Sequence, residues 1–107
     1  MAKLYPPNIS GTLPAFTNEV LTIPFIANRT VRNDDVTGFA LLIKDLYNNT
    51  LGVTQTKAYD LVAQTVSFNL SSLSLIIGDY YKVQIAYINT ENEIGYYSTI
   101  GIVKYTT

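Results

Sequence analysis

The sequence contains no cysteine, no histidine and no tryptophan among its 107 residues. Without cysteine, the chain has neither a disulfide framework nor thiol chemistry. Because histidine is absent too, the most common general base, the usual thiolate nucleophile and the preferred zinc ligands are all missing. Carboxylates, lysines and hydroxyls are the reactive groups that remain. We therefore predict that the protein is not an enzyme and uses no cofactor.

Charge is also scarce, since charged residues make up 14% of the sequence and the formal net charge is -1. The seven basic residues are scattered from Lys3 to Lys104, whereas nucleic-acid-binding proteins cluster lysine and arginine against phosphates. Uncharged apolar stretches such as residues 73–78 are far shorter than the roughly 20 residues that cross a bilayer. Residues 1–7 lack the apolar core of a signal peptide. We therefore expect a soluble chain with no nucleic-acid or membrane partner.

Strand signals dominate the residues that are present. Hydrophobic residues make up 48% of the sequence, and short runs of valine, isoleucine, threonine, tyrosine and phenylalanine are separated by turns roughly every 8 to 12 residues. Two runs alternate most clearly, and their inward-facing residues are Val66, Phe68 and Leu70 in one and Tyr81, Val83, Ile85 and Tyr87 in the other. About seven such strands predict an all-β, antiparallel two-sheet sandwich. We expect one domain over residues 1–107, alone or as one module of a longer chain or assembly.

The segment from Leu75 to Tyr81 places a leucine six residues before a tyrosine, with a turn between them. In this it resembles the fibronectin type III family, in which that tyrosine makes the corner hydrogen bond of the sandwich. The resemblance implies a fibronectin type III-like or immunoglobulin-like fold in which Leu75 and Tyr81 form a structural corner. The chain departs from the family pattern because Ile76-Ile77 replaces the usual proline turn. The second-strand tryptophan is missing as well, and Phe25 is its candidate replacement.

The stretch from Gly95 to Thr106 further resembles domains near the N-termini of bacteriophage structural proteins, including tail and fibre components. This resemblance implies a virion component, located in the particle or on an extracellular surface, whose partners are other protein subunits, further copies of itself among them. We therefore expect a non-catalytic structural or attachment domain that mediates protein–protein interaction in a larger assembly. The uncharged segment from Leu13 to Phe16 is a candidate for docking against a neighbouring subunit.

Two loops supply a candidate contact surface. In a fibronectin-like topology, residues 27–37 and 89–96 emerge at the same end of the sandwich, which would bring their carboxylates together beside an aromatic ring. The residues of this candidate surface are Asp34, Asp35, Glu91, Glu93 and Tyr96. Carboxylate oxygens suit calcium, but the spacing matches no calcium-binding loop, so we predict no metal site.

Tyrosine is the most distinctive residue type, with nine copies and two adjacent pairs, Tyr80-Tyr81 and Tyr96-Tyr97. Only one member of each pair can face the core, which makes Tyr80 and Tyr96 candidates for exposure. Exposed tyrosines are common at binding surfaces, although cross-strand pairing on a half-exposed sheet also accounts for them. An alternative function is therefore a carbohydrate-binding or cell-surface adhesion module with a host-surface glycan as its partner.

Overall fold

The computed structural model describes residues 4–7, 9, 11–24, 36–60 and 62–106. These residues form eight strands: β1 (Gly11–Thr12), β2 (Val20–Pro24), β3 (Val36–Lys44), β4 (Thr50–Thr56), β5 (Tyr59–Asp60), β6 (Thr65–Asn69), β7 (Tyr80–Asn89) and β8 (Gly101–Lys104). No part of the chain within those ranges forms a helix long and apolar enough to cross a membrane. The prediction of an all-β fold is confirmed.

The strands form two sheets, a larger one in the order β1-β8-β7-β3-β4 and a smaller one in the order β2-β6-β5. Seven strands pair antiparallel, as predicted, whereas the two-residue strand β1 pairs parallel to β8. This two-sheet arrangement is compatible with an immunoglobulin-like or fibronectin type III-like sandwich. Pro24 ends β2, an edge strand, where its missing N–H disrupts no inner ladder, as predicted.

The core lies between the two sheets and follows the period-two alternation of the strands. All seven residues that the sequence predicts to face inward are buried. They lie on β6, just after it and on β7: Val66, Phe68, Leu70, Tyr81, Val83, Ile85 and Tyr87. Strands β2 and β3 contribute the buried side chains of Leu21, Ile23, Leu41 and Ile43. The inward faces that the sequence predicts for β6 and β7 are therefore confirmed.

The segment that follows β1 runs along β8 and contributes to the core. The Leu13 N–H donates to the carbonyl oxygen of Ile102 at 2.8 Å, and the Phe16 N–H donates to that of Lys104 at 3.0 Å. The Phe16 ring stacks on Tyr105 with a centroid separation of 4.6 Å and an interplanar angle of 3°. Because the Leu13 and Phe16 side chains are buried in the domain itself, the predicted docking role of residues 13–16 is wrong.

The chain crosses from β6 to β7 through a corner at Tyr81. The Tyr81 side chain is buried, and its hydroxyl oxygen accepts a hydrogen bond from the backbone N–H of Ile76 at 2.7 Å. Leu75 is partly buried against the core. Gly78 has a φ of +97°, a left-handed conformation that glycine adopts without steric cost, and its N–H donates to the Tyr105 carbonyl at 2.6 Å.

Several strand ends differ from the sequence-based expectation. The second strand was expected to include Phe25, which lies outside the described residues. The apolar run from Phe39 to Leu46 predicts a third strand of that length, but β3 ends at Lys44, because the Asp45 carboxylate starts a tight turn by accepting two backbone N–H groups. The segment from Tyr97 to Tyr105 predicts the last strand, but β8 begins only at Gly101.

Candidate contact surface

The predicted contact surface maps to the end of the sandwich where β7 finishes. Val36, the first residue of β3, lies opposite Asn89, the last residue of β7. Glu91, Glu93 and Tyr96 follow in the turn after β7. Asp34 and Asp35 lie outside the described residues. The described part of the predicted surface is therefore this one turn and the segment after it.

Asn89 organises that turn from a buried position. Its Oδ1 accepts hydrogen bonds from the backbone N–H groups of Glu91 at 2.9 Å and Glu93 at 3.0 Å. Its Nδ2 donates to Oε1 of Glu93 at 3.0 Å. This is the turn-forming use of asparagine, in which the side chain replaces a missing backbone partner. The Glu93 carboxylate thus holds the turn together, a role that the sequence reading did not assign to it.

Tyr96 lies on the surface with 56% of its side chain exposed, so its predicted exposure is confirmed. Its ring centroid is 6.5 Å from that of Tyr5, which is also exposed. The Tyr96 N–H donates to the Leu4 carbonyl at 3.1 Å, which brings the N-terminal segment alongside. A Cβ on the buried Gly95 would lie 2.6 Å from the Leu4 oxygen, so this close approach requires glycine.

The acidic side chains near this end do not form a metal site in the part of the chain that the structure describes. Within that part, no three aspartate or glutamate side chains converge closely enough to hold a metal ion. Histidine and cysteine are absent from the whole sequence. Of the two carboxylates that the structure describes in this turn, that of Glu93 accepts a hydrogen bond from the Asn89 side chain.

A groove of about 480 Å³ lies at the opposite end of the sandwich, between the turn after β3 and the start of β7. Three tyrosines and two carboxylates are among the groups that line it: Tyr47, Tyr80, Tyr81, Asp45 and Asp79. Tyr47 is 86% exposed and Tyr80 is 48% exposed, which confirms the predicted exposure of Tyr80. The sequence pattern does not predict this groove, because segments that are distant in the sequence form its walls.

The Asp45 carboxylate in this groove is held in its charged form. Its Oδ2 accepts from Nδ2 of Asn49 at 2.9 Å, and its Oδ1 accepts from the backbone N–H groups of Asn49 and Tyr47. The side-chain hydrogen bond from Asn49 is the main cause that lowers the pKa of Asp45 below its ordinary value of 3.8. The groove therefore keeps at least one fixed negative charge.

The outer faces of the two sheets differ in chemistry. The smaller sheet exposes hydroxyls, and Thr22 and Ser67 hydrogen-bond each other across β2 and β6 at 3.0 Å. The larger sheet exposes aliphatic side chains on what we call the apolar outer face, which consists of Leu42, Leu51, Val53 and Ile102. Three lysines lie on the same side of the sheet, Lys44, Lys82 and Lys104.

Two of these lysines contact neighbouring groups. Nζ of Lys82 donates to Oδ1 of Asn48 at 2.9 Å, and Nζ of Lys104 lies 5.4 Å from the centre of the Tyr80 ring. The apolar outer face is thus bordered by fixed positive charges, while the groove beside it carries carboxylates. This is the surface composition of a binding face with a polar rim.

The described residues offer three surfaces of different chemistry. They are the exposed ring pair of Tyr5 and Tyr96, the groove beside Asp45, and the apolar outer face. The chain matches no protein-family model, and no curated protein matches it in sequence.

Proposed function

We propose that the protein is a non-catalytic structural or attachment domain that makes protein–protein contacts in a larger assembly. The observation that carries this proposal is the apolar outer face of the larger sheet. An antiparallel sheet with one face in water normally alternates apolar-inward with polar-outward residues. The smaller sheet follows that rule with Thr22 and Ser67, whereas the larger sheet exposes Leu51, Val53 and Ile102.

The position of these aliphatic residues favours a partner that covers them. Leu42 of β3 lies opposite Val53 of β4, so the two aliphatic side chains adjoin across neighbouring strands. Contiguous exposed apolar surface on a small domain marks an interaction site, because covering it removes the apolar area from water. The surrounding lysines would remain at the solvated rim of such a contact.

We further propose that the assembly is a bacteriophage virion. This part of the proposal rests on the resemblance of residues 95–106 to domains near the N-termini of phage tail and fibre proteins. A sandwich domain suits such a particle, since its outer faces and edge strands can bind neighbours while the core between the sheets stays intact.

The test is to follow the chain in lysates of the cells that produce it. Particles are sedimented on a density gradient, and the chain is detected in each fraction by mass spectrometry. We expect the chain to sediment with the particles, and Ile102→Glu to lower its incorporation. Val20→Glu is the matched control, since Val20 is an aliphatic residue of similar exposure on the smaller sheet. A chain that stays at the top of the gradient, or equal effects of the two variants, contradicts the proposal.

A carbohydrate-binding or adhesion module is the second candidate, and the groove beside Asp45 favours it. Tyr47 and Tyr80 offer exposed aromatic rings against which a sugar ring can pack, and the Asp45 and Asp79 carboxylates can accept hydrogen bonds from hydroxyls. Host-derived polysaccharides on a glycan array, with and without calcium, test it. Binding that Tyr47→Ala abolishes and Tyr5→Ala leaves unchanged would support this function. Silence across the array would exclude those glycans as ligands.

A further inference from the structure

The larger sheet ends at β4 in an edge that pairs with no further strand in the described part of the chain, although the inward side of β4 contacts Leu73 through Gly52 and the Asn69 carbonyl through Thr54. Strand β4 pairs with β3 on one side, and no described strand pairs with its other side. A β-bulge lies at the beginning of β4, but the ladder from Gly52 to Thr56 is regular. Every second residue there directs its backbone N–H and C=O away from β3. These groups can pair with one further strand.

The sequence of this edge lacks two of the usual protections against pairing. Natural edge strands carry charged residues or proline, are very short, or contain a β-bulge, and in β4 the bulge is confined to the first residues. Strand β4 reads Thr-Leu-Gly-Val-Thr-Gln-Thr, seven residues without a charge or a proline. Its outward side chains on the apolar outer face, Leu51 and Val53, are exposed. The edge is thus suited to receive another strand.

We propose that β4 pairs with β4 of a second copy of this chain, antiparallel about a two-fold axis at Val53. The two five-stranded sheets then form one continuous sheet, and the apolar outer faces of both copies lie side by side. This inference rests on the proposed assembly function, for which it names a second copy as one partner. A two-fold contact of this kind uses the same patch on both subunits.

The register follows from the pleat and from the bounds of the strand. A shift by one residue would place the outward Val53 opposite an inward residue, so only every second register keeps the faces matched. The strand Thr50–Thr56 is centred on Val53, so this centre opposes the largest number of its residues, with Gly52 to Thr54 in the regular part of the ladder and Thr50 and Leu51 at the bulge. Val53 then faces its own copy, and Leu51 faces Gln55. No like charges are opposed anywhere along the pair.

Charge complementarity beyond the strand supports a second copy as the occupant. In this register Lys57 lies opposite Asn49 of the other chain. The Asn49 side chain donates to the Asp45 carboxylate at 2.9 Å, so Lys57 of one copy approaches Asp45 of the other. The symmetry repeats this attraction, which gives two such ion pairs at the two ends of the paired strands.

Single cysteine variants test the pairing, because the chain has no cysteine of its own. Opposed residues in an antiparallel pair have Cα atoms roughly 4.5 to 5.5 Å apart, within the range that a disulfide spans. Val53→Cys alone should therefore form a covalent dimer under mild oxidation. Leu51→Cys alone and Gln55→Cys alone should not form a covalent dimer, since each thiol lies about 13 Å from the same thiol in the second chain. Mixed together, these two variants should link.

Ile100→Cys measures random collision, because Ile100 and Leu51 are both 41% exposed and Ile100 lies away from β4. We expect Val53→Cys to link at least about ten times faster than this control. In the dimer, Val53→Lys would place two like charges opposite each other. We therefore expect this variant to raise, about tenfold, the protein concentration at which half of the chains are dimeric, as measured by light scattering. Equal rates for Val53→Cys and Ile100→Cys, or self-linking of Leu51→Cys, would overturn the inference.

The two proposals fail separately. If the chain sediments with particles but Val53→Cys links no faster than Ile100→Cys, self-pairing through β4 is overturned and the assembly function stands on other contacts. If Val53→Cys links quickly while the chain is absent from every particle fraction, self-pairing is supported and the assembly function is contradicted. The mixed sample of Leu51→Cys and Gln55→Cys tests the same register independently, because a disulfide between the two variants requires Leu51 of one chain to lie opposite Gln55 of the other.

Discussion

Replacing Tyr81 with phenylalanine removes one hydroxyl group from the corner between β6 and β7 and leaves the buried ring in place. The hydroxyl oxygen accepts the backbone N–H of Ile76 at 2.7 Å, so the variant loses this hydrogen bond. A net intramolecular hydrogen bond contributes about 1 kcal/mol. The Ile76 side chain is largely exposed, so water can reach the N–H and limit the penalty for leaving it unpaired. We expect a loss of about 1 to 1.5 kcal/mol in the free energy of unfolding.

Urea unfolding followed by circular dichroism measures this loss, and the slope with denaturant should stay unchanged because the exposed surface is the same. The same loss lowers the melting temperature of a domain of this size by about 4 to 8 °C. Tyr80→Phe is the matched control, since Tyr80 precedes Tyr81 on the same strand and its ring is partly in water. We expect Tyr80→Phe and Tyr96→Phe to change stability by less than about 0.5 kcal/mol. Equal losses for Tyr80→Phe and Tyr81→Phe would refute the assignment of inward and outward faces.

Three further predictions concern the terminal segments and the turn after β3. Phe16→Ala should lower the free energy of unfolding by about 3 to 5 kcal/mol, because the ring is buried against Tyr105; a loss below about 1 kcal/mol would contradict that burial. Gly95→Ala should cost about 1 to 3 kcal/mol, because its Cβ would meet the Leu4 carbonyl at 2.6 Å, and unchanged stability would contradict that contact. The pKa of Asp45 is lowered by hydrogen bonding in the fold, so its charge stabilises the protein above its ordinary pKa of 3.8, and this contribution disappears as the pH falls through the lowered value. The stability difference from Asp45→Asn in urea unfolding should therefore shrink in acid, and a constant difference would contradict the prediction.

The sequence predicted the fold best where a strand carries strict alternation. Val66 and Phe68 point inward because one face of β6 meets the core, and a period of two is directly visible in the residues. Strand β1 could not be predicted in this way, since its two residues form no pattern of their own. It exists because Gly11 and Thr12 lie beside β8, at the other end of the sequence. Such pairing is a tertiary effect that local propensity does not contain.

The candidate site shows the same division between local and tertiary information. Adjacent tyrosines let the sequence place Tyr80 and Tyr96 at the surface, although of their neighbours only Tyr81 belongs to the core and Tyr97 is half-buried. It could not indicate that Tyr5 lies near Tyr96, since that contact depends on a backbone hydrogen bond between distant segments. The carboxylate of Glu93 reads as a solvated charge until the side chain of Asn89 is seen to bind it.

The parallel alignment of β1 with β8 determines how the domain would respond to mechanical tension. If a neighbour pulled on the chain before Gly11 and another pulled after Tyr105, the two strands would be drawn in opposite directions along their common axis. The bonds from Leu13 to Ile102 and from Phe16 to Lys104 would then share the load in shear. An antiparallel pair pulled from one end would instead open one bond at a time. A domain joined in this way can transmit force between its ends before its core is exposed.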